Sequence, residues 1–512
     1  MKSPEKSPPT NITEIEPFTP AEVLKIIKKM QKHKAPGKDD ITSDIILLAG
    51  QQTIAKLTDA YNIILRTKEI PKTWEEAKVI ILYKKGDRRD IKNYRPISLL
   101  AHSYKIFTRL LQSRIEVQLD ANQPREQAGF RRAYSTRDHL QALNQVIEKC
   151  NEHNMTLCIG FIDYEKAFDS VEHFAIFDAL RKIQINETYI TILENIYKNA
   201  SARIHLDNHV SEPFPIERGV RQGDPISPKL FTAAMEIVFQ RAELAGGIDI
   251  QGEELKDLRF ADDVALCTKE EKSMSKQLNQ LNTESKKIGL KIHKGKTKYM
   301  SNFECRSEIK IEEDIIEEVE EYKYLGQTIN PNQGIETEVK SRIRAAWQCF
   351  GKYREIFLDD TLPITLKRKT FNQCVLPTLT YGCETWALTK TLRIKLRSAQ
   401  RAMERKMLNL KLLDKVRHNK IREKTKVTDV NDYMSRMKWK WAGHVARMTD
   451  GRWTKRCTDW IPDRKKKMGR PRTRWKDEIT QTAGEEWSHL AADRDQWRDM
   501  MEAHVQLWTD MG

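Results

Sequence analysis

Apolar positions change their spacing several times along the chain, and the changes mark out elements. "TPAEVLKIIKKMQ" carries apolar residues at helical spacing; Thr19 is placed to cap it, Pro20 suits its first turn and Glu22 completes a capping box. Pro36 and Gly37 in "HKAPGKDDIT" end that pattern, and a second helical stretch follows at about 51–67. "AKVIILYKKGD", residues 77–87, predicts a β-branched strand running into a basic turn; "NYRPISLL" comes next, then a helix at about 102–119. "LCIGFIDYEKAFDSV", 157–171, predicts an apolar strand ending at Asp163 and then a helix, and residues 172–200 read as helical. "RIHLDNHVSEPFPIERGVRQGDPISPKLF" predicts two short strands, a Gly/Pro-rich loop and a helix at about 228–244. A hairpin at 258–268, a helix at about 271–288 and the strand pieces "KTKYMSNF" and "YKYLGQTI" complete this region. From about 335 the pattern turns helical and basic, and there is no internal repeat. Mixed strands and helices with antiparallel hairpins predict an α+β fold.

Length and charge sharpen this picture. A chain of 512 residues is long for one core and predicts about three or four domains. Residues 1–16 are polar and proline-rich, and read as disordered. No apolar run is long enough for a membrane span, and the N-terminus has no signal-type stretch. The eight cysteines form no Cys-x-x-Cys and lack histidines at finger spacing, which predicts reduced thiols in an intracellular protein and argues against a zinc knuckle. The net charge is +16, but residues 391–476 hold 28 Lys+Arg against 8 Asp+Glu, so the remainder sums to −4. A basic surplus confined to one region points to a polyanion. Without a lipid-seeking amphipathic helix, nucleic acid is favoured over a membrane surface.

Charge of the opposite sign carries the candidate chemistry. In "LRFADDVALCT" the adjacent Asp262 and Asp263 sit at the bend of an apolar hairpin, and Asp163 ends an apolar strand 99 residues earlier. Buried carboxylates are costly unless paired or bound to metal. Three of them on strand ends of one sheet can hold two Mg²⁺ ions for phosphoryl transfer; taken singly, each reads more simply as a turn residue. Between them lies "GVRQGDPISP", 219–228, whose Gly219 and Gly223 permit close backbone approach while Arg221 and Gln222 offer donors to phosphate or base.

"FIDYEKAFDSV", "GVRQGDPISPKLF" and "FADD" resemble the successive palm motifs of reverse transcriptases, above all those of non-LTR (LINE-type) retrotransposons. "KAPGKDDI", "WEEAKVIILYKKGDRRDIKNYRPISLL" and "GFRRAYSTRDHL" resemble that family's fingers motifs in order, and "IGLKIHKGKTKYM" and "EYKYLGQTI" its last palm motif and primer grip. The resemblance covers roughly 17–330 and implies a right-hand polymerase of fingers, palm and thumb with an antiparallel palm sheet. It implies an RNA-directed DNA polymerase acting on an RNA template, a DNA primer or target and dNTPs, within a ribonucleoprotein of the element RNA, in cytoplasm and nucleus. Asp163, Asp262 and Asp263 would ligate two Mg²⁺, with Mn²⁺ as a substitute, and Asp262 would bridge both ions with Asp163. Ile162 or Tyr164 would lend a carbonyl, and Phe168 would be the steric gate against a 2′-hydroxyl. Lys84 or Lys85, with Arg95, would bind the triphosphate; Arg221, Gln222 and Gly223 would line the nucleotide; Lys296 would protonate pyrophosphate; Tyr324, Leu325 and Gly326 would place the primer end. Asp40 stands where the family usually has glycine and His293 where asparagine is common. Full-length members carry an upstream endonuclease, and a chain starting about 16 residues before the fingers motifs is expected to lack one.

The C-terminal third is read on position and composition. Residues 331–412 are expected to form a helical thumb, and 413–512 a basic, Trp-rich nucleic-acid-binding region. "TYGCETWAL" and "WAGHVAR…GRPRTRW" resemble the RTE-like subgroup. Eight of eleven tryptophans lie in 439–512, and rings interleaved with base in "RMKWKWAGHVARM" and "RKKKMGRPRTRW" suit base stacking, whereas Trp487, Trp497 and Trp508 read as core. "KKKMGRPRTR" also resembles the core of minor-groove peptides, or a basic linker on template RNA. The rival readings are a catalytically silent, transposon-derived nucleic-acid-binding protein and an RNA-dependent RNA polymerase; Phe168 and "FADD" speak against the second.

Overall fold

The computed structural model describes residues 15–84, 86–206, 209–469 and 471–510. The expected disorder of the N-terminus therefore falls almost wholly outside the described residues, as do Lys85 and Arg470. The chain forms two compact units that interleave in sequence. One holds the residues up to Arg132, Asp163–Leu244 and Gln277–His293; the other holds Ala133–Ile162, Ala245–Lys276 and Lys294 onward.

In the first unit the helix Pro20–Ile27 starts on the expected capping box, with Glu22 N donating to Thr19 Oγ1 at 3.3 Å and Thr19 N to Glu22 Oε2 at 2.9 Å. It packs on the helices Gln51–Thr67 and His102–Ala121. Tyr61, Trp74, Tyr104 and Phe107 bury their rings together there, at centroid separations of 5.5–6.4 Å. The strand Glu76–Tyr83 pairs antiparallel with Tyr94–Leu99 and parallel with Ser201–Leu206. Tyr94–Leu99 lies at the edge of this sheet, which is where Pro96, lacking an N–H, is tolerated. The long helical stretch after Asp163 resolves into His173–Lys182 and Glu187–Lys198, with Gln184 at φ +60° between them.

The second unit is built on a five-stranded sheet, ordered Glu317–Glu318, Lys298–Ser301, Cys158–Ile162, Asp263–Thr268, Asp257–Phe260. All pairs are antiparallel except the first. The central strand Cys158–Ile162 is buried at all five positions, which explains its unbroken apolar sequence. The helix Thr136–Glu152 covers the sheet, and Trp453, Cys457 and Trp460 from the C-terminal region complete that core. A second core gathers the helices Glu336–Lys352, Lys390–Met407 and Val430–Ala446. Trp439, Trp441, Trp475, Trp487 and Trp497 form a third.

This corrects one expectation. Trp439, Trp441 and Trp475, proposed from their basic neighbours to stack on bases, are buried side chains. Trp439 and Trp497 stack at 3.8 Å, and each indole N–H donates to the other's backbone carbonyl, at 2.7 and 2.9 Å. Even Lys438, the residue before Trp439, is buried, paired at 3.0 Å with Glu478, which also accepts from Arg393 at 2.8 Å. A buried carboxylate held by two cations is retained because removing either partner leaves an uncompensated charge.

Candidate active site

The acidic hairpin is a two-residue loop. Asp263 pairs with Phe260, leaving Ala261 and Asp262 at the tip. Ala261 has φ +60°, the sign that the first loop position of a II′ hairpin requires, and one that costs a residue with a Cβ about 1 kcal/mol or more. Asp262 is half-buried and Asp263 exposed at the head of its strand. In the same sheet Val264 faces Ile162, the last residue of the central strand, and Asp163 is the next residue of the chain. On its own unit Asp163 is fixed through the backbone: its carbonyl accepts from His293 N at 2.8 Å, and Glu165 N donates to Lys291 O at 2.9 Å. The unusual His293 therefore acts on this strand end through a group that any non-proline residue would supply.

The second unit holds a pocket of about 190 Å³ lined by Phe161, Ile162, Asp263, Val264 and Tyr322 through Gly326. The expected primer-grip residues and one of the expected metal ligands thus share one cavity wall. Tyr324 is 3% exposed, and its hydroxyl donates to Leu258 O at 3.2 Å. Burial, reinforced by the Asp263 carboxylate, pushes this phenol well above its ordinary range. Leu325 and Gly326 form the two-residue loop between Tyr322–Tyr324 and Gln327–Ile329, both with positive φ (+45° and +86°), as a I′ loop demands.

Two residues without an assigned role brace that loop. Tyr381 OH donates to Leu325 O at 2.9 Å, and Arg342 donates to Gly326 O while its guanidinium lies 4.6 Å from the Tyr381 ring centroid. A Cβ on Gly326 would come within 3.1 Å of that ring. The signal for Tyr381 was its place in "TYGCETWAL"; Arg342 has no local signal, since helical basic residues are commonly solvated.

In the first unit the "GVRQGDP" loop is held close to its neighbours. A Cβ on Gly223 (φ +112°) would meet Ser98 O at 2.7 Å, and Ser98 N donates to Gln222 O at 3.1 Å. Gln222 Nε2 donates to Asp169 Oδ1 at 2.7 Å. Arg221 departs from expectation. It is 2% exposed and gives its guanidinium to the carbonyls of Trp74, Glu75 and Ile196 at 2.9, 3.1 and 3.3 Å, so it anchors the loop and does not line a nucleotide. Asp224 beside it is buried and accepts from Tyr104 OH at 2.7 Å; burial raises its carboxyl above the usual range.

Phe168 is half-buried, stacked on Phe231 at 4.3 Å. Val220 N donates to the Phe168 carbonyl at 2.7 Å, tying the gate candidate to the glycine loop. On the Glu76–Tyr83 and Tyr94–Leu99 ribbon, Arg95 is exposed opposite Leu82, and Lys84 N donates to Asn93 O at 2.8 Å just past the strand end. Lys84 and Arg95 thus belong to one exposed hairpin end. Lys296 is exposed in the turn before Lys298–Ser301. The carboxylates offer hard oxygen donors suited to Mg²⁺, which takes few protein ligands and fills its shell with water and phosphate oxygens. Among the described residues, no three or more His, Cys, Asp or Glu are grouped so as to hold a metal ion, so Asp163, Asp262 and Asp263 do not form such a group here.

An antiparallel sheet with an acidic two-residue hairpin, beside a loop that shares its pocket, is the palm of a template-directed nucleotidyltransferase. Residues 82–329 match the family described as reverse transcriptase (RNA-dependent DNA polymerase). A transposon-derived protein of Caenorhabditis elegans is 33% identical over 268 residues, covering 48% of this chain and 95% of the relative. The probable RNA-directed DNA polymerases of transposon BS and of the X-element, both from Drosophila melanogaster, are 26% and 24% identical over 73% and 74% of this chain. The chain spans less than half of those two relatives, 42% and 43% of their lengths. The chain belongs to the reverse transcriptase family, and its relatives are polymerases of non-LTR retrotransposons. Members of this family use divalent metal ions.

Proposed function

We propose that this protein extends a primer 3′-hydroxyl with dNTPs on an RNA template. The observation that carries the reading is the single pocket lined by both Asp263 and the Tyr324–Gly326 loop, which joins the carboxylate motif to the primer-end motif. Asp163, Asp262 and Asp263 would hold two Mg²⁺ ions, which would activate the attacking hydroxyl and neutralise the leaving pyrophosphate. Asp262 is the more demanding ligand and Asp263 the less. The loop braced by Tyr381 and Arg342 positions the primer end. Lys84 and Arg95 neutralise the triphosphate, Phe168 excludes the ribose 2′-hydroxyl, Gln222 and Gly223 face the nucleotide, and Lys296 gives a proton to pyrophosphate. Residues 17–330 serve as fingers and palm, 331–412 as thumb.

The C-terminal 413–512 contributes phosphate contacts and not stacking, since its tryptophans up to Trp497 are buried. Its basic face is a strap between Trp460 and Trp475. The strap is pinned by His153 Nδ1 to Arg464 O at 2.5 Å, by Lys467 N to Glu152 O at 2.8 Å, and by Arg474 to the Glu152 carboxylate at 2.9 Å. Pinning leaves Arg464, Lys465 and Lys467 with exposed side chains, free to follow a phosphodiester backbone. Element RNA and DNA target are the partners.

The test is primer extension on an RNA template with Mg²⁺. Asp262→Asn is expected to lower extension by at least about 100-fold, and Asp263→Asn by less. Extension unchanged in both would refute the mechanism.

A further inference from the structure

Phe168 does not stand alone. Three phenyl rings form a row in the first unit: Phe231, fully buried; Phe168, stacked on it at 4.3 Å and 18°; and Phe130, edge-on to Phe168 at 6.1 Å and 80°. Phe130 is the anomalous member. It is 44% exposed and has φ +57°, a left-handed conformation in which bulky residues are genuine outliers. Its neighbours impose that backbone. Gly129 N donates to the side chain of buried Gln127 at 2.8 Å, and Arg131 donates to the carbonyls of Pro124 and Gln127 at 2.7 and 3.2 Å. A turn so fixed would be met without strain by glycine. The chain instead carries a phenyl there, half in solvent, with its ring set against Phe168. Strain that persists where the surroundings enforce it is a mark of function.

We propose that Phe130 is a positioning residue for sugar selection: it braces the edge of Phe168 and so sets discrimination against the 2′-hydroxyl. This rests on the reading of Phe168 as the steric gate. A gate excludes a hydroxyl only if its ring does not yield. Phe231, stacked face to face, blocks retreat perpendicular to the ring plane and does not itself oppose in-plane tilt. Phe130 supplies a lateral contact. An edge-to-face pair is worth enough to change a ratio of rates by about 2- to 10-fold, so this is the size of the expected effect.

The experiment measures kcat/KM for a dNTP and the matching rNTP on an RNA template, with Phe130→Gly, Phe130→Tyr and Phe168→Ala. Glycine suits the left-handed backbone, so Phe130→Gly removes the ring without unfolding the turn, and its melting temperature is expected to hold or rise. Phe130→Gly should shift the dNTP/rNTP preference toward rNTP by about 2- to 10-fold, mainly through rNTP incorporation, and Phe130→Tyr should restore it. Phe168→Ala should relax the preference further. If Phe168→Ala relaxes it and Phe130→Gly leaves it unchanged, the brace is refuted while the gate stands. If Phe168→Ala changes nothing, the gate reading falls and the brace with it.

Discussion

Arg221→Lys separates an anchor from a nucleotide contact while keeping the charge. The guanidinium spans three backbone carbonyls, those of Trp74, Glu75 and Ile196, from a position 2% exposed, and lies 5.4 Å from the Tyr104 ring centroid. A lysine ammonium is a point donor on a thinner stem and reaches about one of these acceptors. Glu75 O keeps its donor, Ser201 N at 2.9 Å, so about one carbonyl remains buried without a donor, at about 1–1.5 kcal/mol, and loss of the ring contact adds about 0.5–1 kcal/mol. The expected destabilisation is about 2 kcal/mol. With an m-value of about 3 kcal/mol/M, the urea midpoint followed by far-UV circular dichroism should fall by about 0.7 M. KM for dNTP, measured well below the transition, should stay within about threefold, because the side chain touches no substrate. The reverse pattern, an unmoved midpoint with KM raised tenfold or more, would show that Arg221 contacts nucleotide and that its burial has been misread.

Two further outcomes follow from the second unit. Burial pushes the Glu148 carboxyl up to about 7, against the Trp475 N–H at 2.7 Å and nearby lysines that favour its charged form. The native state therefore binds more protons than the unfolded chain between about 4.5 and 7, and stability falls as pH rises through that window, by about 3 kcal/mol in full. Melting temperatures at pH 5 and 8 should show this drop, and Glu148→Gln should flatten it; an equal drop in the variant would assign the dependence elsewhere. Replacing Arg464, Lys465 and Lys467 together by glutamine should reduce the slope of log K against log salt for RNA or DNA binding by about 2–3, since each phosphate contact contributes about 0.7–0.9. A slope unchanged within error would remove the strap from the binding surface.

Much of this architecture is legible before the coordinates, for identifiable reasons. The Thr19 box, the strand through Ile162 and the Asp262–Asp263 hairpin are each written in local spacing, and each appears where the pattern places it. The burial of Arg221 is not legible in sequence because a Gly/Pro loop has no periodicity to reveal which side is covered, and what covers it comes from residues 74, 75 and 196. The burial of both Trp439 and Trp441 is hidden from the sequence because two residues only two apart on a helix seldom share a buried side; here residues 475–497 of the chain enclose the helix Val430–Ala446 more fully than an amphipathic pattern anticipates. Phe130 carried no signal at all, since its conformation is imposed by Gln127 and Arg131 and not by its own residue type.

The ends of the strap lie in different cores: Trp460 belongs with the sheet and Trp475 with the C-terminal helices. The segment between them is therefore a tether, with both its ends carried by other interactions. Met468 within it is 97% exposed. A cut there would leave a nicked, associated protein. Extra residues there would cost only loop entropy, about 0.6 kcal/mol for a doubling in length. This stretch is where a lineage of such elements can vary length and basicity, and so its hold on nucleic acid, without refolding the polymerase that carries it.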